Sequence, residues 1–246
     1  MPLRVLLLDH LVSPTPTDAV ESELAARQVE IVSVRPESGD SFPDMTAFDG
    51  IVALGGPASA YDEAAHSWLR EEKAAIGEAV RSGLPYWGVC LGAQLLAAAL
   101  GGEVHPGPEP EIGAGDVDLL PAAAADPVFS LCPPSFRTFQ WHRDGFAIPP
   151  GGRRLATSRL YPNQAFAWGA AYGLQFHLEP TPEVVRGWIA QSSGTHAGYS
   201  IDDRAMAIIE DAVTVAPAAN RLSRALLGRW LDLIRDRGFA DADAID

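Results

Sequence analysis

Residues 84–94 read Leu84-Pro85-Tyr86-Trp87-Gly88-Val89-Cys90-Leu91-Gly92-Ala93-Gln94. An apolar run of strand type, Leu84 to Val89, passes directly into a helical pattern, Leu91 to Leu100, which Gly101-Gly102 closes. At the junction stands Cys90, with a glycine two residues before it and another two residues after it. That spacing is the signature of a nucleophile elbow. The chain turns so tightly from strand to helix that side chains at the −2 and +2 positions would collide, and glycine removes the collision. The cysteine is also carried to a helix N-terminus, where free N–H groups and the positive dipole end favour thiolate over thiol. The second cysteine, Cys132 in Leu131-Cys132-Pro133-Pro134, has no such setting and reads as structural.

Working outward, the same alternation recurs. Arg4 to Asp9, Val29 to Val34 and Gly50 to Leu54 read as buried strands, and Asp18 to Arg27 and Ala64 to Ser82 as helices. This predicts an α/β fold: a central, mostly parallel but mixed sheet flanked by helices on both faces, of flavodoxin-like architecture. From Glu103 to Pro150 the chain is rich in Gly and Pro, and shorter strands (Gly113 to Leu120, Phe136 to Trp141) are expected. Strands resume at Arg154 to Ser158, Gln164 to Trp168 and Tyr172 to His177. Beyond Thr181 the pattern is helical, with a capping-box sequence at Ser200-Ile201-Asp202-Asp203 and Pro217 separating two final helices, the last ending near Gly238. The division expected is one α/β unit over residues 1–190 and a helical extension over 191–246 packed on it as ordinary scaffold, with a lid or partner surface at residues 194–203 as the alternative role.

Composition narrows the function. The 246 residues carry a formal charge of −14, which repels phosphate backbones, so no nucleic-acid partner is expected. Two cysteines make no disulfide framework and fit a reducing, cytoplasmic compartment. The run Val5 to Leu8 ends at Asp9, too short for a signal peptide or a membrane span. Lys73 is the only lysine and is not preceded by a glycine-rich loop, which excludes a P-loop nucleotide site. Histidines and cysteines lack metal-ligand spacing, so neither a metal nor any other cofactor is expected.

A thiolate nucleophile needs a proton shuttle and a group to orient it. Gln175-Phe176-His177-Leu178-Glu179 follows an apolar strand, and side chains at i and i+2 share a face, so His177 and Glu179 can point the same way. The developing oxyanion needs donors: the Leu91 N–H directly after the nucleophile, and Gly56 N–H in the Gly55-Gly56-Pro57 turn after a parallel strand. His10, His66, His105 and His196 have no partner pattern and read as ordinary residues.

Taken together these motifs resemble the class I glutamine amidotransferase domain. Its elbow G-x-C-x-G-x-Q matches Gly88, Cys90, Gly92 and Gln94, and its Q-F-H-P-E matches Gln175, Phe176, His177 and Glu179, with Leu178 in place of proline. Gly55-Gly56-Pro57-Ala58-Ser59 is similar to the family's oxyanion loop and points to the GMP-synthase-like branch. So does Trp141-His142-Arg143-Asp144, although Trp141 and Arg143 depart from that branch's wording. The resemblance covers roughly residues 3–190, which makes the unit over residues 1–190 amidotransferase-like. It implies that Cys90 attacks the glutamine amide to release ammonia and form a γ-glutamyl thioester, that His177 shuttles the proton and that Glu179 holds the imidazole. Gly56 and Leu91 would bind the oxyanion, with Gly55, Gln94 and His142 lining the substrate pocket. Neither a second catalytic domain nor a pyrophosphatase-type Ser-Gly-Gly loop is seen. Three roles therefore stay open: supplying ammonia to a separate synthetase subunit, acting as a γ-glutamyl peptidase, or serving as a non-catalytic regulatory module. Self-association into a homo-oligomer stays open too.

Overall fold

The computed structural model describes residues 2–10, 18–192, 195–196 and 199–236. Five short strands form a parallel half-sheet: β1 (Arg4–Leu8), β2 (Glu30–Val34), β3 (Gly50–Ala53), β4 (Tyr86–Val89) and a later strand, Ala171–Leu174. The other half is antiparallel. It contains β5 (Val104–Leu119), β6 (Ser135–Phe146), β7 (Arg153–Thr157) and β8 (Ala165–Trp168), joined to the parallel half through β9 (Ala171–Leu174). The nine strands lie in the order β2-β1-β3-β4-β9-β8-β7-β5-β6. The mixed sheet with helices on both faces is the architecture that the sequence predicts.

Alternation along the strands sorts residues between the two faces. Val5, Leu7, Val52 and Trp87 face one layer, where Leu24 of α1 (Ala19–Ala26) and Leu227 and Trp230 of the C-terminal helix complete the core. Leu6, Leu8, Ile51 and Ala53 face the other, against Ile76 of α2 (Trp68–Arg81) and Leu95 of α3 (Leu91–Ala99). The central strands β3, β4 and β9 are buried at every position, which is why they read as unbroken apolar runs. β2 differs from the expected buried strand. It pairs only with β1 at the sheet edge, and Ile31 is left 37% exposed.

Two further differences have physical causes. The predicted strand Gly113 to Leu120 extends back to Val104, through Pro106, Pro108 and Pro110. Before Asp118, β5 pairs with β6 alone, so its other edge is open and tolerates residues without an N–H; the ladder slips between Pro106 and Glu111. The short α4 (Pro121–Ala124) and then α5 (Pro182–Gln191) follow along the chain. Where two final helices are predicted, one helix, α6 (Ala205–Arg235), runs through Pro217. Proline leaves the carbonyl four residues earlier without its helical donor. That residue is Val213, 52% exposed, where water can replace the donor. The expected helix end near Gly238 and much of the expected lid, residues 194–203, lie outside the described residues. Among those described, Ser200 Oγ donates to Asp203 Oδ2 at 2.7 Å ahead of a single 3₁₀ turn, Asp202–Arg204. No helix of the described residues is long and apolar enough to cross a membrane.

Candidate active site

Cys90 sits between β4 and α3 with φ 52° and ψ −107°, a left-handed backbone that an L-residue adopts only under strain of about 1–3 kcal/mol. The surroundings hold it there. Its N–H donates to Leu174 O of β9 at 2.7 Å, and its carbonyl accepts from Gln94 N at 3.1 Å. A Cβ on Gly88 would lie 2.6 Å from the carbonyl carbon and oxygen of Gly92, and one on Gly92 would strike the carbonyl oxygen of Ala53. The two glycines are therefore required by backbone contacts, as the elbow pattern predicts. Cys132 contrasts with Cys90: it is a partly buried thiol whose pKa burial and the nearby Asp126 push up to about 12.

Beyond Leu174 the chain leaves β9 and crosses to β6, where His177 and Phe139 exchange backbone hydrogen bonds of 2.9 and 3.2 Å. The His177 carbonyl also accepts from Thr138 Oγ1 at 2.5 Å. The imidazole is buried, and its Nδ1 lies 2.6 Å from Glu179 Oε1. Nε2 makes no well-aligned hydrogen bond among the described residues. Burial works against charge on this ring, but the Glu179 carboxylate and the neighbouring Cys90 sulfur outweigh it and raise the pKa to about 10. The arrangement favours an imidazolium beside the sulfur at neutral pH. Trp188 of α5 closes the back of the ring edge-on, with centroids 4.9 Å apart.

Glu179 is held through its backbone. Its carbonyl accepts from Ala19 N at 3.1 Å, and Asn220 of α6 donates to the carbonyls of Leu178 and Pro180, at 2.8 and 3.2 Å. Asp18, which caps α1 through Val20 N and Glu21 N, feels the same carboxylate. Burial first and Glu179's charge second raise its pKa to about 7.

In front of Cys90 opens a cleft of 180 Å³ lined by Gly56, Leu91, Gln94, Trp141, His142 and Asp144, among others. Gly55 lies between Cys90 and His177, since a Cβ there would sit 3.4 Å from Cys90 Cβ and 3.2 Å from His177 Cε1. Leu91 is the first residue of α3, so its N–H has no acceptor within the helix. Gln94 donates to Gln175 Oε1 at 3.1 Å and to Asp144 O at 3.4 Å, while Gln175 Nε2 is 3.7 Å from Cys90 Sγ. His142 is buried, with Nδ1 3.2 Å from Asp144 O and Nε2 shared between Gln140 Oε1 (3.1 Å) and Glu111 Oε2 (3.2 Å). Every residue singled out in the sequence is thus brought to one place, with His177 and Glu179 behind the cleft rather than on its wall.

A model of the glutamine amidotransferase class-I family matches residues 13–190. The chain belongs to that family. Over 186 residues it is 32% identical to a glutamine-hydrolysing GMP synthase of Thermomicrobium roseum, covering 69% of this chain and 33% of the relative. It is 34% identical over 154 residues to the glutamine amidotransferase-like protein YfeJ of Salmonella typhimurium, covering 61% and 64% of the two chains. One subunit of the glutamine-hydrolysing GMP synthase of Sulfolobus acidocaldarius is 32% identical over 155 residues, or 61% of this chain and 77% of that one. The chain thus spans about a third of the length of the first of these relatives and about two thirds of the second. Among solved structures, a glutamine amidotransferase of Thermotoga maritima superposes with TM-score 0.82 at 28% identity, over 94% of this chain and 98% of that one. One of Methylobacillus flagellatus gives 0.80 at 27% identity, over 94% of both chains.

Some contacts between site residues of this amidotransferase-family chain carry no signal in the sequence. Asp144 accepts from Ser59 Oγ at 2.7 Å and Tyr61 OH at 3.2 Å, tying the loop after β3 to β6 across the cleft mouth. Ser59 and Asp144 lie in quoted motifs, but their union spans 85 positions, and no local pattern encodes it. His10, expected to be ordinary, is instead fully buried against the same loop and ion-paired to Glu72.

Proposed function

We propose that this chain hydrolyses the side-chain amide of glutamine, or a related γ-glutamyl amide, through Cys90, His177 and Glu179. The observation that carries this reading is the juxtaposition of a strained Cys90 at the start of α3 with an imidazole held by Glu179 at 2.6 Å. The Cys90 thiolate attacks the amide carbon and the carbonyl oxygen becomes an oxyanion, for which the N–H groups of Leu91 and Gly56 are the candidate donors. Collapse breaks the C–N bond while the His177 imidazolium delivers a proton to the departing nitrogen, so ammonia leaves and a γ-glutamyl thioester remains. His177, now neutral, takes a proton from water as it attacks the thioester, and glutamate and the thiolate–imidazolium pair are restored. Glu179 holds the ring through Nδ1 and keeps its Nε2 toward the sulfur. Asp144, at the cleft mouth, is a candidate partner for the substrate's α-amino group.

The neighbouring relatives add a partner to this reading. One of them is named as a single subunit of a glutamine-hydrolysing GMP synthase, and a synthetase chain that receives the ammonia is the partner we propose here. The unpaired cysteines fit the cytosol as the place of action.

Steady-state release of ammonia and glutamate from glutamine, alongside a panel of γ-glutamyl dipeptides, tests the proposal. Glutamine turnover that falls on the order of 10⁴-fold or more in Cys90→Ala is expected. Cys90-dependent cleavage of the dipeptides with glutamine left intact would replace the amidotransferase reading with a peptidase. Turnover that Cys90→Ala leaves unchanged would overturn both.

A further inference from the structure

The loop between β3 and α2 carries Gly55, Gly56 and Ser59, all at the cleft, yet it is not part of any regular element until Trp68. Its conformation must be imposed from outside, and the residues that touch it from behind belong to the far side of the sheet. His10, just past the end of β1, is 1% exposed and spans the gap between loop and helix. Its Nδ1 lies 2.9 Å from Leu54 O, the carbonyl immediately before Gly55-Gly56, and its Nε2 lies 2.8 Å from Glu72 Oε1 of α2. The backbone of Gly56 rests on the same residue, since a Cβ on Gly56 would meet His10 Cβ at 2.5 Å. Trp68 stacks on the other side of the ring, with centroids 5.6 Å apart and planes within 18°. Glu72 is wholly buried, and its second oxygen has no partner among the described residues. A carboxylate kept in this position at such a desolvation cost is out of keeping with mere packing.

The next residue of α2 holds the other end of the loop. Lys73, the only lysine of the chain, donates to Ala60 O and to Glu63, each at 2.7 Å. Adjacent residues of one helix therefore fasten the loop at both ends, one directly and one through His10.

We infer that His10 and Glu72 position the oxyanion loop: the imidazole bridges α2 to the Leu54 carbonyl and sets the Gly55-Gly56 peptide where its N–H can meet the developing charge. His10 touches neither substrate nor reacting atoms in this scheme and acts only through the loop. The electrostatics agree, because burial opposes charge on the ring while Glu72, the Leu54 carbonyl and Asp9 favour it, and the net effect raises its pKa. A charged ring donates from both nitrogens, to the Leu54 carbonyl and to Glu72.

The inference rests on the hydrolytic reading above, and its test separates the two. Three variants are compared with the wild-type chain: His10→Leu with Glu72→Leu, which removes the bridge and leaves no buried charge unpaired; His10→Asn, whose amide can still donate to Leu54 O; and Glu72→Gln. For each, kcat and KM for the best γ-glutamyl substrate are measured beside the rate at which iodoacetamide alkylates Cys90, a reaction that forms no oxyanion. The double variant is expected to lose about 10- to 100-fold in kcat, less than the loss of a donor itself, with KM and the alkylation rate nearly unchanged. His10→Asn is expected to recover most of that loss, and Glu72→Gln to fall between. Equal losses in kcat and alkylation, or no loss in kcat, would overturn the inference. If the wild-type chain turns over no substrate, the hydrolytic reading fails, and hydrogen exchange of the peptide spanning residues 54–60 decides the positioning claim. Faster exchange in the double variant and near wild-type exchange in His10→Asn support it, and unchanged exchange in the double variant sinks it.

Discussion

Cys90 and the His177–Glu179 pair are held by opposite strategies. Around Cys90 the chain's own neighbours supply most of the constraint, the strand before it, the helix after it and two glycines two residues away, and the Ala53 and Leu174 carbonyls reach the turn from adjoining strands. Around His177 and Glu179 almost every constraint is distant. The segment 175–180 belongs to no regular element, and it is fixed by Phe139 and Thr138 of β6, Ala19 of α1 and Asn220 of α6. A local device survives small movements elsewhere because strand and helix carry it as one piece. A remote one records the packing of the whole molecule, and it is the natural place for remote changes to reach the chemistry.

Within the remote arm, the largest effect on activity is expected at its own carboxylate. Glu179→Gln is expected to lower kcat/KM on the order of 10²–10³-fold, since the imidazole loses both its orientation and the charge that keeps it protonated. The same variant sharpens the electrostatic side. His177 has a folded-state pKa raised from 6.5 to about 10, so its contribution to stability is fully present below 6.5 and is lost as pH rises through about 10. The alkaline limb of kcat/KM is expected near that value in the wild-type chain and lower in Glu179→Gln, as a pH–rate profile would reveal; limbs at the same pH would show that Glu179 does not set the charge.

On the elbow, Gly92→Ala forces a methyl onto the Ala53 carbonyl. The expected cost is about 1–3 kcal/mol in urea unfolding, with Cys90 alkylation slowed as the turn is displaced. A variant as stable and reactive as the wild type would break the claim that backbone contact shapes the turn.

Asn220→Ala probes the remote arm from α6, 40 or more residues away in sequence. Losing its two hydrogen bonds is expected to cost about 1 kcal/mol in thermal or chemical unfolding and to lower kcat several-fold while Cys90 alkylation is retained. Equal loss of both activities would mean that α6 supports nucleophile and base alike.

The smallest effect on activity is expected at Asp18. Its raised pKa, about 7 against an ordinary 3.8, means its contribution to stability is fully present below 3.8 and is lost as pH rises through about 7. Asparagine caps a helix about as well as aspartate. Asp18→Asn is therefore expected to melt slightly higher than the wild type at pH values above about 7, with the advantage vanishing near pH 4. An advantage that persists in acid would point to the cap rather than to the charge beside Glu179.

The same division explains what is legible in the sequence. The elbow is legible because its two glycines stand at fixed spacing around Cys90 and leave a mark in the sequence, even though the collision avoided at Gly92 is with Ala53 of another strand. His177 and Glu179 are legible for a similar reason, as alternate residues of one extended segment. The single helix through Pro217 is not legible, because proline costs a helix one hydrogen bond only, and an exposed carbonyl at Val213 can recover it from water. Nor is the reach of β5 through three prolines, because the tolerance of an open strand edge depends on which neighbour is missing. His10 and Glu72 are hidden for a stronger reason. They lie 62 positions apart, and each alone is an ordinary residue of an apolar strand end or an amphipathic helix.

By itself, then, the sequence determined the alternation of strands and helices, the elbow that carries Cys90, and the choice of His177 and Glu179 as its candidate partners. These depend on sterics and periodicity over a few residues. Only the tertiary structure decided where those groups stand relative to one another: the bridge of His177 to β6, the grip of Asn220 on the turn around Glu179, and the buried ion pair behind the oxyanion loop. Such contacts join segments whose sequences carry no common period, and they exist only once the two core layers have closed on the sheet and excluded water from charges that would otherwise remain solvated.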